Sequence, residues 1–149
     1  MTPGTRAADT ADQGKWLQTR PGERCFIRVA ATDTDGVYSV VEIHSLPGDS
    51  TPMHVHQSED EHLFVLQGTA RVARGDETFD APAGTTVALP RHVPHAWGNA
   101  TNSMLRMVVT CWPGGVEAIL PLIARGADIH VKALRAKFGV GGVGPPLLG

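Results

Sequence analysis

The chain of 149 residues lacks any long apolar run. No stretch approaches the roughly 18 consecutive apolar residues of a membrane-spanning helix, which argues against a membrane partner. Residues 1–13 are small and polar and lack the apolar core of a signal peptide. We therefore expect a cytoplasmic protein.

An excess of charge of one sign is also missing. Thirteen basic and 15 acidic residues give a formal net charge of −2, with both signs interspersed, which argues against a nucleic-acid partner.

Cysteine is scarce as well. Cys25 and Cys111 each lie in apolar, strand-like sequence, so we expect buried free thiols, with a disulfide as the alternative. The chain has no internal repeat and no recognisable helix-turn-helix, so a single domain is expected.

Glycine and proline, in contrast, are plentiful (17 and 11) and fall between short apolar runs, as is typical of a turn-rich β fold. Nine strands are predicted, at 24–31, 37–45, 52–57, 61–67, 69–74, 77–80, 86–90, 94–99 and 103–112. Helical spacing then predicts two short helices, the second ending at Gly139. We expect a flexible tail over residues 1–14, an all-β domain over 15–115 and a C-terminal helical segment over 116–149. The apolar C-terminal end is expected to pack on the barrel or on a second subunit.

Three histidines and a glutamate are the most informative residues of the chain. His54 and His56 are two apart in a predicted strand, so their side chains share one face, and Glu61 opens the next strand. His95 begins another strand further along. A single histidine in a strand is usually an ordinary core or surface residue, but four such groups can converge on one divalent ion. Imidazole ligands suit zinc, copper, iron and nickel better than magnesium or calcium.

Two stretches around these residues resemble the signature motifs of the cupin superfamily. The first runs from Gly48 through His54, His56 and Glu61 to Gly68, with the spacing glycine, five residues, His-x-His, four residues, Glu, six residues, glycine. The second motif is matched by the residues Gly84, Pro90, His95 and Asn99. One position departs, since His92 stands where that motif has its second glycine. Glycine often supplies a positive φ there, so the turn geometry is open to question and His92 is expected on a surface loop.

The resemblance implies a cupin antiparallel β-barrel, a jelly roll, with short C-terminal helices. It also implies one divalent metal ion (iron, manganese, nickel, copper or zinc) held by His54, His56, Glu61 and His95. The C-terminal region, from Trp112 to Leu147, is similar to bacterial single-domain cupins described as quercetin 2,3-dioxygenase-like. In such an enzyme Glu61 would be both a metal ligand and the catalytic base that takes a proton from the substrate.

The walls of a substrate pocket are harder to predict. Four aromatic residues on or beside the predicted strands could stack on a substrate, namely Tyr38, Phe64, Trp97 and Trp112. Each is also compatible with an ordinary place in the barrel core. Trp97 shares the strand parity of His95 and is expected to face the cavity, whereas Phe64 has the parity opposite to Glu61, which counts against it.

Three classes of function follow for a small-molecule substrate or ligand. The first is an oxygen-dependent dioxygenase of an aromatic or enolic compound. The second is a metal-dependent isomerase, lyase or hydrolase, and the third is a binding cupin without turnover. Barrels of this type expose sheet edges that a second copy can cover, so we also expect a homodimer.

Overall fold

The computed structural model describes residues 13–149, which form two antiparallel β-sheets and two short helices. The strands are β1 (Trp16–Arg20), β2 (Glu23–Val29), β3 (Ser39–Ser45), β4 (Pro52–His56), β5 (Asp60–Gln67), β6 (Thr69–Arg74), β7 (Glu77–Pro82), β8 (Thr86–Leu89), β9 (His95–Gly98), β10 (Leu105–Trp112) and β11 (Val140–Pro146). The helices α1 (Ile119–Ala124) and α2 (Lys132–Phe138) lie between β10 and β11. The tail predicted over residues 1–14 falls almost wholly on residues 1–12, outside the described part of the chain.

One sheet has the strand order β1-β2-β3-β10-β5-β8 and the other β11-β4-β9-β6-β7. The crossovers between the sheets give the jelly-roll arrangement, which confirms the predicted all-β fold. All nine predicted strands are present, with ends that differ by at most two residues. Within residues 13–149 no helix has the length and apolarity that a membrane span requires.

Strand β10 illustrates why these sequences form a barrel wall. Its side chains alternate between faces, so that Leu105, Met107, Val109 and Cys111 are buried in the core while the residues between them are partly exposed. Full burial of such apolar side chains stabilises the fold by roughly 1.5–3 kcal/mol each. The inner face of β10 therefore lies against the opposite sheet and forms one wall of the interior.

The turn between β5 and β6 explains one of the motif glycines. Gly68 has a φ of +81°, and a Cβ atom there would lie only 2.5 Å from the carbonyl oxygen of Met104. A larger residue would be strained by its backbone conformation and would also collide with the start of β10. Gly68 thus permits the close approach of two chain segments near the end of the barrel.

The C-terminal region covers one side of the barrel. Leu120 and Ala124 of α1 pack on a small cluster formed by Leu17, Ile27 and Ala30. Helix α2 ends at Gly139 as predicted.

The stretch after Gly139 is not helical. It forms β11, an edge strand that pairs with β4 of the same chain, with Val140 opposite His56 and Gly142 opposite His54. Of the two expectations for the C-terminal end, the structure supports packing on the chain's own barrel. No strand was predicted over β1 either. It pairs with β2 at the edge of the other sheet.

Candidate metal centre

The four predicted ligand residues meet in the interior of the barrel. His54 and His56 lie on β4, Glu61 lies near the start of β5, and His95 begins β9 directly opposite His54. One ligand atom from each of the four residues lies within 4.8 Å of the others, and all four side chains are buried. Val55, between the two histidines, points to the other face of the strand and is buried there.

Backbone carbonyls orient two of the imidazole rings. Nδ1 of His54 lies 2.7 Å from the carbonyl oxygen of Pro52, and Nδ1 of His95 lies 3.4 Å from that of Val93. A carbonyl oxygen can only accept a hydrogen bond, so each Nδ1 carries the hydrogen and donates it. The neutral ring then has its lone pair on Nε2, which faces the centre of the cluster.

The third ring is oriented by a carboxylate that the sequence analysis did not single out. Glu59 is 4% exposed, and its Oε1 lies 2.7 Å from Nδ1 of His56. A carboxylate that accepts the distal N–H of a metal-binding histidine fixes the tautomer of the ring and raises its basicity. No sequence signal separates Glu59 from the polar run in which it lies, because its neighbours are ordinary turn residues.

The inward-facing atoms fit a cation. Nε2 of His56 lies 2.9 Å and Nε2 of His95 3.1 Å from Oε1 of Glu61. All three atoms are fully buried, yet none has a partner with the geometry of a hydrogen bond. Buried polar atoms without partners are rare and costly. Two imidazole nitrogens and a carboxylate oxygen that converge in this way, with His54 beside them, could hold one divalent ion.

The protonation of the cluster is strongly perturbed. Burial, together with the neighbouring His95 and His56, lowers the pKa of His54 to about 3. Burial also acts to lower the pKa of His56, but the Glu61 and Glu59 carboxylates outweigh it and raise that pKa to about 9. The pKa of Glu61, which burial alone would raise, is held well below its usual range by His56 and His95. Glu61 is therefore a carboxylate, and His56 is the ring whose proton an incoming cation must displace.

The cluster faces a cavity between the two sheets with about 740 Å³ of space free of protein atoms, including the part open to solvent. Its walls are mostly aliphatic and include Val41, Val109, Ile119, Ile129 and Val140. A cavity that is apolar apart from a few converging polar groups is typical of a small-molecule site.

A second buried carboxylate lines this cavity and was also missed from the sequence. Glu23 is 3% exposed, and its Oε1 accepts a hydrogen bond of 2.7 Å from the Thr19 hydroxyl. Its Oε2 accepts from the Arg20 guanidinium and, at 3.5 Å, from the indole N–H of Trp97. The donors around Glu23 satisfy its carboxylate, so it anchors β1 and Trp97 and has little accepting capacity left for a ligand.

Of the four aromatic residues predicted as pocket walls, Trp97 alone lines the cavity. Its ring centroid lies 5.7 Å from that of His54 and 6.0 Å from that of His95. Contrary to the sequence-based expectation, Tyr38, Phe64 and Trp112 are outside this cavity and are between 37% and 39% exposed. Phe64 and Trp112 lie at outward-facing positions of their strands, and Tyr38 precedes β3.

His92, at the departure from the second motif, adopts the backbone conformation that the motif glycine would supply. Its φ is +69°, its backbone N–H donates to the carbonyl oxygen of His56, and its exposed ring lies 3.0 Å from the side-chain oxygen of Gln57. Histidine tolerates this region less readily than glycine, but the turn is kept. His92 is thus a surface loop residue, as expected, and does not face the cluster.

Comparison with known proteins gives the same fold. Residues 41–111, which include all four cluster residues, match the family model described as the Cupin domain. A quercetin 2,3-dioxygenase of Bacillus subtilis is 26% identical over 119 residues, which are 75% of this chain and 35% of that protein. The structure of KdgF from Halomonas sp. is similar with a TM-score of 0.63 at 18% identity, over 73% of this chain and 96% of that chain. An oxalate decarboxylase of Lactobacillus farciminis gives 0.61 at 18% identity, over 68% of this chain and 31% of that chain.

These similarities differ in what they show about this chain. The chain spans between 11% and 53% of the lengths of the curated relatives that it matches. The two solved structures, at 18% identity, share the fold with this chain. The names quercetin 2,3-dioxygenase and oxalate decarboxylase denote different reactions, which illustrates that one fold supports several chemistries.

Proposed function

Because residues 41–111 of this chain are a cupin domain with a buried cluster of three histidines and a glutamate, we propose that the protein is a metal-dependent dioxygenase. Its substrate is a small aromatic or enolic molecule. The observation that carries this proposal is the position of the cluster, whose unpartnered atoms are buried in the barrel beside an apolar cavity. The distant similarity to a quercetin 2,3-dioxygenase supports the same choice.

His54, His56, Glu61 and His95 would hold the ion, with iron, manganese, nickel, copper and zinc as the candidates. When bound, a divalent ion lowers the pKa of a substrate hydroxyl beside it and, if redox-active, allows reaction with dioxygen. An ion held by these four residues would supply a binding position for the substrate oxygen.

Glu61 is the proposed base. Its low pKa keeps it ionised, and its second oxygen, Oε2, does not face the histidines. A positioned carboxylate of this kind can accept the hydroxyl proton, which contributes roughly 10²–10⁴-fold to a rate. The aliphatic walls exclude water, and among the described lining residues Trp97 presents a large, flat indole ring beside His54. These residues would therefore orient a flat, apolar molecule with its acidic hydroxyl toward Glu61.

In the proposed reaction a carbon–carbon bond of the deprotonated substrate breaks and both atoms of dioxygen enter the product. The substrate supplies the electrons that reduce dioxygen, so no external reductant is consumed. The proton on Glu61 returns to the product. One dioxygen molecule should therefore disappear for each molecule of substrate.

Elemental analysis of tag-free protein, purified without added metal or chelator, is the first test. About one iron, manganese, nickel or copper per chain would be followed by oxygen-uptake assays with flavonols and other enolic aromatics. Glu61→Gln should abolish uptake per bound metal, whereas the control Glu77→Gln, at an exposed ion pair with Arg74, should leave it unchanged. Zinc with oxygen-independent turnover would instead favour an isomerase, lyase or hydrolase. A ligand held without turnover would favour a binding cupin.

We also propose a cytoplasmic homodimer. The outer face of the six-stranded sheet exposes Phe64, Leu66 and Trp112, which a second copy could cover. Cys25 and Cys111 are free thiols, as expected in a reducing compartment. Sedimentation analysis of the wild-type chain and of Phe64→Lys would test the dimer, because a charge on this face should yield monomers.

A further inference from the structure

Glu61 has a buried neighbour in the middle of the six-stranded sheet. Strand β10 lies between β5 and β3, and in its register Cys111 is opposite Glu61 on one side and Ser39 on the other. All three residues are buried, with exposed fractions of 4% or less. The sheet therefore presents a row of three small or polar side chains beside the metal centre.

The two oxygens of Glu61 face different partners. Oε1 lies toward Nε2 of His56 and Nε2 of His95, at 2.9 and 3.1 Å. Oε2 lies 3.4 Å from Sγ of Cys111, within the range of a thiol hydrogen bond. A thiol is a weak donor, but in a buried site a hydrogen bond is strengthened by the low local dielectric.

We propose that Cys111 is a positioning residue that makes Glu61 offer a single oxygen to the ion. The inference rests on the proposed function in that it requires an ion at the cluster. Carboxylates bind cations through one oxygen or through both. By retaining Oε2, the thiol keeps that oxygen out of the coordination shell, and the position it would otherwise fill stays open for substrate. Oε2 gives up this hydrogen bond when it accepts a proton from the substrate.

Cys111 does not act as a ligand in this arrangement. Its sulfur contacts Oε2 of Glu61, and the group of converging ligand atoms in residues 13–149 does not include it. Valine is close to cysteine in volume but has no S–H donor. The proposal thus predicts an effect of the S–H donor that side-chain volume does not reproduce.

The test uses Mn²⁺ as the probe. Water-proton relaxivity of the Mn²⁺-loaded protein reports how many exchangeable waters the ion keeps, and the electron paramagnetic resonance spectrum reports its symmetry. In Cys111→Val, Oε2 is free to bind, so one of two open positions in a six-coordinate shell is filled and relaxivity should fall about twofold. Cys111→Ser keeps a donor and should restore both readouts. The matched control is Cys25→Val, since Cys25 lines the same cavity but contacts Glu23 and Thr19 instead of Glu61.

Wild-type relaxivity and an unchanged spectrum in Cys111→Val, with one Mn²⁺ bound, would overturn the positioning role. An equal change in Cys111→Val and Cys111→Ser would also overturn it. Cys111→Ala, which adds no volume, is measured in parallel in case the valine variant does not fold. If the wild-type chain binds neither Mn²⁺ nor another divalent ion, the proposed function itself fails. That result is distinguishable because it does not depend on Cys111.

Discussion

Glu59 provides the sharpest test of the metal centre because no sequence motif points to it. Its carboxylate is buried and its Oε1 accepts the Nδ1 hydrogen of His56 at 2.7 Å. If His56 binds an ion through Nε2, removal of Glu59 loosens the ring and reduces its basicity. If the cluster serves only to fill the barrel, metal affinity should not depend on Glu59.

The size of the effect follows from the contact that is lost. Removal of a carboxylate that supports a ligand histidine typically costs about 10–100-fold in metal affinity, or about 1.4–2.8 kcal/mol. Glu59→Gln keeps an oxygen that can accept the Nδ1 hydrogen, so it should lie near the lower limit. Glu59→Ala removes the acceptor and leaves a buried donor unpaired, so it should lie near the upper limit.

At neutral pH, competition between protons and the ion for His56 partly offsets this loss of metal affinity. Glu59 helps to raise the pKa of His56 to about 9, so its removal also makes the ring easier to deprotonate. Competition with a chromophoric chelator at pH 7 and again near pH 9 separates the two effects. The affinity ratio between wild type and Glu59→Ala should be larger at the higher pH, where the wild-type ring no longer has to lose a full proton.

Glu77→Gln, at an exposed position, should match wild type at both pH values, and circular dichroism should show that each variant is folded. Affinity of Glu59→Ala within threefold of wild type at pH 9, with one ion bound per chain, would refute the role of the carboxylate. It would also mean that His56 either does not bind the ion or is held by packing alone.

Three further outcomes are expected. The double variant His54→Ala/His56→Ala should lose metal retention but keep a folded barrel by circular dichroism, whereas His62→Ala, on the outer face of β5, should keep its ion. Metal binding at pH 7 should release close to one proton per ion, since the raised pKa of His56 keeps that ring protonated below pH 9. The apparent metal affinity should therefore rise with pH up to about 9. Calorimetry in two buffers of different ionisation enthalpy measures the proton release. Gly68→Ala should lower the free energy of unfolding by about 1–3 kcal/mol in urea melts, more than Gly84→Ala, where the φ is also positive but no atom lies within 4 Å of the added Cβ.

The four residues of the cluster could be predicted because their signal is local. Alternation of side chains along a strand places His54 and His56 on one face, and a short turn brings Glu61 beside them. The same rule correctly predicted that the side chain of Phe64 points away from that of Glu61. It could not identify Glu59, because the direction of a side chain within a turn depends on backbone angles that no periodic pattern fixes.

Two of the edge strands, β1 and β11, show the limit of local patterns in the fold. Strand β11 has the sequence Val-Gly-Gly-Val-Gly-Pro-Pro, whose glycines and prolines are depleted in strands and indicate a loop. It is a strand because β4 offers it a partner, and at the edge of a sheet proline is tolerated. Strand β1 has only two buried inward-facing side chains, Leu17 and Thr19, too few to stand out as an alternating pattern.

The residues of the cavity wall could not be predicted from the sequence, for a related reason. Val41, Val109, Ile119, Ile129 and Val140 come from β3, β10, α1, the connection between the helices and β11. Each is an aliphatic residue whose type is equally compatible with the barrel core. They line a pocket only because the helices and β11 pack over the barrel. Three residues of the cluster therefore come from one stretch of eight residues, 54–61, and the fourth is His95, whereas the cavity wall depends on distant segments. For this reason barrels with the same cluster can differ in what they bind, and the molecule that fits this cavity must be found by experiment.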